Sequence, residues 1–181
     1  MKKRSNLSRL LNIAENHRYF SYASWVLSAI SALIALVPYY FIWQVMREAL
    51  EYAPDFSRAQ NLTYNGWMAL LFAVIAVLVY IAGLMCSHVG AFRVATNLRL
   101  RSIKHIAKLP LGAIERFGSG KLRKIINESS AATETYLAHQ LPDRANAIAT
   151  PCGLLILLLI FDWRLGLLSL APVLLGFLIM M

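Results

Sequence analysis

Charge is scarce in this chain: only 15% of its 181 residues are Asp, Glu, Lys or Arg, with 9 acids against 18 bases. A soluble domain of this size needs far more charge to cover its surface. With 59% hydrophobic residues and a mean hydropathy of +0.56, the chain reads as an integral membrane protein. Cysteine is nearly absent as well. Cys86 and Cys152 fall in or at the edge of apolar runs, which gives neither metal-ligand spacing nor a secreted disulfide framework and leaves both as packing residues. No Asp, Glu, Lys or Arg sits in the middle of a predicted span, so the mark of an ionic substrate path is missing. The broken helices or midplane polar residues of a secondary transporter are not evident either.

What is present begins with four runs free of Asp, Glu, Lys and Arg, at 19–46, 59–92, 145–161 and 165–181. A spanning helix needs about 20 mainly apolar residues. The first two runs qualify through 22–45 and 67–86, whereas the last two have 17 residues each and are parted only by Asp162, Trp163 and Arg164. One helix from 145 to 181 would measure about 55 Å, more than a bilayer holds, so a turn is expected at 162–164, with Trp163 at the interface. Four spans follow, at about 21–46, 67–87, 145–161 and 165–181. The basic start is not a signal peptide, because some 20 mostly polar residues precede the apolar core and that core is too long.

Positive charge sets the orientation. Residues 1–18 carry five Lys and Arg against one acid, and residues 87–144 carry 10 against four. The link 47–58 carries two against three and the 162–164 turn is neutral. The positive-inside rule places the tail and the long stretch in the cytoplasm, with two spans between them. Lys and Arg confined to segments beside anionic lipid heads account for a pI near 9.9, and nucleic acid is not an expected partner. In the tail, Leu7, Leu10, Leu11 and Ala14 recur at helical spacing beside Lys2, Lys3, Arg4 and Arg9. This predicts a short amphipathic helix on the inner leaflet.

The 87–144 stretch is too long for a loop between packed membrane helices. Val94, Leu98, Ser102, Ile106 and Leu109 form one helical stripe that continues the second span, with Arg93, Arg101, Lys104 and Lys108 on a neighbouring side. Pro110 and Gly112 end this helix, and Gly118 and Gly120 are expected to make a second break. Leu111, Gly112, Ala113, Ile114, Glu115, Arg116 and Phe117 lie between them. A return helix then carries Leu122, Ile125, Ile126, Ser129, Thr133 and Leu137 on one face towards Pro142, where a kink is possible. The expected product is a helical hairpin with a short element across its tip. Gly118, Ser119, Gly120 and Lys121 spell the end of a phosphate-binding loop, but the full pattern needs Gly at Glu115, Ser or Thr at Leu122, and a preceding strand. No catalytic, cofactor or metal site is expected in the chain. His139 lacks a second ligand one turn away.

An extended span, then Leu109-Pro110, a short segment ending in Phe117, Ser119-Gly120 and Asn127-Glu128 resembles the first intracellular loop of ABC transporters of the exporter fold. Residues 161–175 resemble that family's tight outer turn between spans three and four. The resemblance covers nearly the whole chain and implies an all-α membrane domain, here the first four of six spans. It implies that Leu111 to Phe117 form a coupling helix, with Glu115, Arg116 and Phe117 as contact side chains. It also implies a nucleotide-binding domain using ATP and Mg, which would follow in the same polypeptide or sit on a separate chain, and a second transporter half, identical or not. On this reading the chain is a fragment of an ATP-hydrolysing translocase and is no enzyme by itself. Residues 134–143 resemble a return-helix sequence of a subgroup linked to siderophore uptake, with lipid, drug or peptide as other substrates. The alternative is a stand-alone four-span adaptor whose basic hairpin binds anionic lipid or a soluble partner.

Overall fold

Helix breaks organise the chain more than any tertiary core. The computed structural model describes residues 18–53, 59 and 61–180, so the amphipathic tail expected over 1–20 lies, but for its last three residues, outside the described residues. Among the described residues seven α-helices follow in order: α1 (Arg18–Ile34), α2 (Val37–Tyr52), α3 (Leu62–Ile106), α4 (Leu111–Phe117), α5 (Ser119–Thr135), α6 (Leu141–Phe161) and α7 (Trp163–Met180). A π-turn, Tyr136–Gln140, joins α5 to α6. Among the described residues there is no strand.

Each break has a chemical cause. Pro38, in the first turn of α2, has no N–H to offer the carbonyl of Ile34, and the chain closes Ala35 and Leu36 as a turn onto Ser31 and Leu33 at 2.9 and 3.1 Å. Pro110 stands as the N-cap of α4 with extended backbone (φ −59°, ψ 145°). Gly118 ends α4 at φ +73°, a conformation that favours glycine, while its N–H donates to Ile114 and Glu115 at 3.1 and 3.2 Å. Gly120 corrects the sequence expectation of a second breaker, since it lies inside the first turn of α5. One positive φ at 118 already turns the chain, so 120 need not. Asp162 separates α6 from α7 as an N-cap, its Oδ1 accepting from the Arg164 N–H at 2.8 Å.

Among the described residues three helical stretches are long and apolar enough to cross a membrane: Arg18–Tyr52, Leu62–Ile106 and Ser119–Phe161. The fourth run forms α7, Trp163–Met180, 18 residues and mainly apolar.

The chain divides into two compact units. Unit one comprises Met1–Val26 and Ala82–Asp143; unit two comprises Leu27–Ile81 and Arg144–Met181. In unit one, Ala91 and Val94 of α3 pack on Leu137, Ala138 and Leu141, flanked by Trp25 and Tyr136. Small residues permit this approach, as membrane helices commonly arrange. At Gly90 an added Cβ would lie 3.0 Å from Ser21 Oγ. In unit two, aromatic rings supply the contacts: Tyr40 stacks on Phe161, Trp43 leans on Phe161 with centroids 4.9 Å apart, and Phe41 stacks on Phe72.

Candidate functional site

The seven residues between Pro110 and Gly118 form α4, an isolated short helix. Its bonds to the flanking breaks are local: Ala113 and Ile114 donate to Pro110 O at 2.9 and 3.3 Å, and Leu122 donates to Gly118 O at 3.2 Å. Ala113 and Ile114 are half-buried, whereas Leu111, Gly112, Glu115, Arg116 and Phe117 are exposed. Leu111 is 72% and Phe117 49% accessible. Lys121 Nζ lies 5.8 Å from the Phe117 ring centroid, close enough for a cation–π contact that orients the ring. The result is two apolar side chains beside one acid and one base, on a helix fixed at both ends.

The arms behind this tip are α3 and α5. Arg99 faces Glu134 at 3.8 Å, one link between outgoing and returning helices, while Lys124 and Glu128 pair at 3.8 Å along α5 and are mostly exposed. Nearer the π-turn, Ser87 Oγ donates to the carbonyls of Ala138 and Leu137. The His88 and His139 rings meet edge to face at 4.9 Å. Among the described residues no group of three or more His, Cys, Asp or Glu is placed to hold a metal ion. The 118–121 stretch follows a helix, so it does not have the strand–loop–helix setting of a phosphate loop.

Unit two contains two cavities of about 470 Å³. The first is apolar and walled by leucines with Tyr40, Phe41, Phe72 and Phe161. The second is polar and includes Gln44, Arg47, Glu48, Glu51 and Asn61, where Glu48 Oε1 accepts from the Asn61 N–H at 3.0 Å. Both escaped the sequence reading, because cavity walls drawn from more than one helix leave no periodic signal along any one of them.

Long apolar helices define a multi-pass membrane protein. Residues 22–181 match the profile of the ABC transporter transmembrane region, and the chain therefore belongs to that family. It is 31% identical over 151 residues, 83% of the chain and 17% of that protein, to the mycobactin import ATP-binding/permease protein IrtA of Mycobacterium tuberculosis. The protein of that name in Mycolicibacterium thermoresistibile is 32% identical over 83% of the chain and 16% of its own length. That of Mycolicibacterium smegmatis is 28% identical over 87% of the chain and 18% of its own length. The chain thus spans about one sixth of the length of the curated relatives it matches.

Proposed function

We propose that the chain is the first part of the membrane domain of an ATP-driven siderophore transporter, and that α4 is its contact with a nucleotide-binding domain. The carrying observation is the exposure of Leu111 and Phe117 on a seven-residue helix fixed between Pro110 and Gly118. Two apolar anchors between a carboxylate and a guanidinium suit a packed interface with a polar rim. The arms behind them are continuous helices, which can act as levers for a domain that closes on nucleotide. ATP and Mg belong to that domain, and a second transporter half, identical or not, completes the translocation path. The basic tail and the 88–144 hairpin face the cytoplasm, in keeping with their charge. Four spans, with α7 as the fourth, complete this topology. The siderophore class is supported by relatives whose names specify mycobactin import and by the resemblance carried by 134–143.

The test uses the full-length transporter in proteoliposomes with ferric mycobactin as probe. Phe117→Ala lowers uptake per ATP hydrolysed about ten-fold, the effect of removing one buried anchor, while ATP hydrolysis persists. Unchanged uptake per ATP would sink the contact role. Wild-type protein that hydrolyses ATP yet takes up no ferric siderophore would sink the substrate class.

A further inference from the structure

Pro142 disturbs the return helix in a way that one residue of the other arm repairs. In α-geometry the N–H of residue 142 would donate to the carbonyl of Ala138, but proline has none. One position earlier the Leu141 N–H donates to Tyr136 O, five residues back, which is the π-turn ring. Leu137 O therefore loses its α-helical donor as well, and its π-helical donor would again be residue 142. Leu137, Ala138 and Pro142 are all buried, so solvent does not serve these carbonyls.

The replacement donor comes from the other arm. Ser87, buried on α3 and 51 residues before Ala138, brings its Oγ to 2.6 Å from Ala138 O and 3.0 Å from Leu137 O. A hydroxyl has one proton to share, and the shorter contact goes to the carbonyl whose α-helical donor position Pro142 occupies. Around it Ala91, Val94 and Ala95, all buried, hold the helices close enough for so short a side chain to reach. The Arg99–Glu134 pair also links the arms, but its 3.8 Å separation, long side chains and partial exposure let it survive a sliding motion. A serine hydroxyl bound to backbone carbonyls cannot follow such a slide, because the carbonyls move with the helix.

We propose that Ser87 is a positioning residue for transport: by closing the π-turn ahead of Pro142 it fixes the register of the two hairpin arms, so that they move as one body. The proposal rests on the reading of α4 as the driven contact, since a rigid hairpin matters only if its tip is moved.

Two readouts on the full-length transporter test it. Hydrogen–deuterium exchange across 130–141, in the absence of nucleotide, reads the register without reference to coupling. Ser87→Ala raises exchange there about five-fold, the effect of one lost hydrogen bond, and Ser87→Thr, which keeps the hydroxyl, restores protection. In a Pro142→Ala background residue 142 can donate to Ala138 itself, so Ser87→Ala changes exchange less than about two-fold. Uptake of ferric mycobactin per ATP falls about five-fold in Ser87→Ala and stays low in the double variant, because a return helix that satisfies its own carbonyls still lacks the tie to the other arm. Unchanged exchange or unchanged uptake per ATP in Ser87→Ala overturns the proposal, as does an equal effect on exchange in both backgrounds or full uptake in the double variant. Uncoupling by Phe117→Ala with none by Ser87→Ala sinks the latch and leaves the contact reading standing. The reverse pattern sinks the contact at Phe117 and, with it, the coupling role of Ser87, while exchange still reads the register that Ser87 fixes.

Discussion

Unit one is tied by individually placed polar atoms: the Ser87 hydroxyl on two carbonyls, Arg99 facing Glu134, and the N–H of Gly118 on the end of α4. Unit two is held by rings and leucines that leave a cavity of about 470 Å³ between them. The difference lies in what each arrangement fixes. A hydrogen bond between two helices specifies one register, whereas dispersion contacts among large side chains tolerate several nearly equal packings. Unit one should therefore respond sharply to changes of single atoms or angles, and unit two should absorb them.

The largest expected effect in unit one beyond those of Ser87 and Phe117 is at Gly118. Its φ of +73° with ψ of 140° lies where residues bearing a Cβ are strained by about 1–3 kcal/mol. Nothing stands within 4 Å of an added Cβ there, so Gly118→Ala isolates the backbone angle from any clash. Hydrogen–deuterium exchange over 111–122 in the full-length protein should rise about ten-fold or more, since 1.4 kcal/mol is one decade. Wild-type protection in Gly118→Ala would show that the tip does not depend on this angle.

A smaller effect is expected at the ion pair. Arg99→Gln should cost less than about 1 kcal/mol, because both partners are partly exposed and their 3.8 Å separation is loose. Thermal unfolding of the solubilised protein at low and high salt checks it. A large, salt-insensitive loss would move the weight of the hairpin from Ser87 to this pair.

Much of the tip could be read from residue types alone, because proline and glycine act locally: Pro110 and Gly118 bound α4 by their own backbone chemistry. Asp162 was legible for a different reason, the length limit a bilayer puts on one helix. Gly120 misled because a glycine within a helix's first turn looks the same in sequence as one outside it. The Ser87 bond was not legible: it joins residues about 50 positions apart, and a serine among apolar residues carries no sign of its partner. Pro142 hinted that the return helix was irregular. The π-turn itself and its donor on the opposite arm depend on a contact between residues far apart in the chain.

The mildest prediction tests the slack assigned to unit two. A Cβ at Gly153 would lie 2.6 Å from Leu36 Cδ1 and 2.8 Å from Leu33 Cδ2, which is too close without movement. Both atoms are leucine tips on the wall of the apolar cavity, where Gly153 itself also lies, so they have room to swing inward. A rotamer adjustment of about 0.5–1.5 kcal/mol is offset by the roughly 1 kcal/mol that alanine gains over glycine within a helix. Gly153→Ala should thus shift thermal stability by no more than about 0.5 kcal/mol, the difference between those opposing effects. Gly166 supplies the control within the same unit. Its Cβ would meet the Cδ2 of Leu159 and would also lie 2.9 Å from that residue's backbone Cα, which has no free tip to move. Gly166→Ala should cost about 1–3 kcal/mol, as overpacking does when the backbone must shift. If the two variants lose equal stability, the cavity offers no relief to its leucines, and unit two is as tightly specified as unit one.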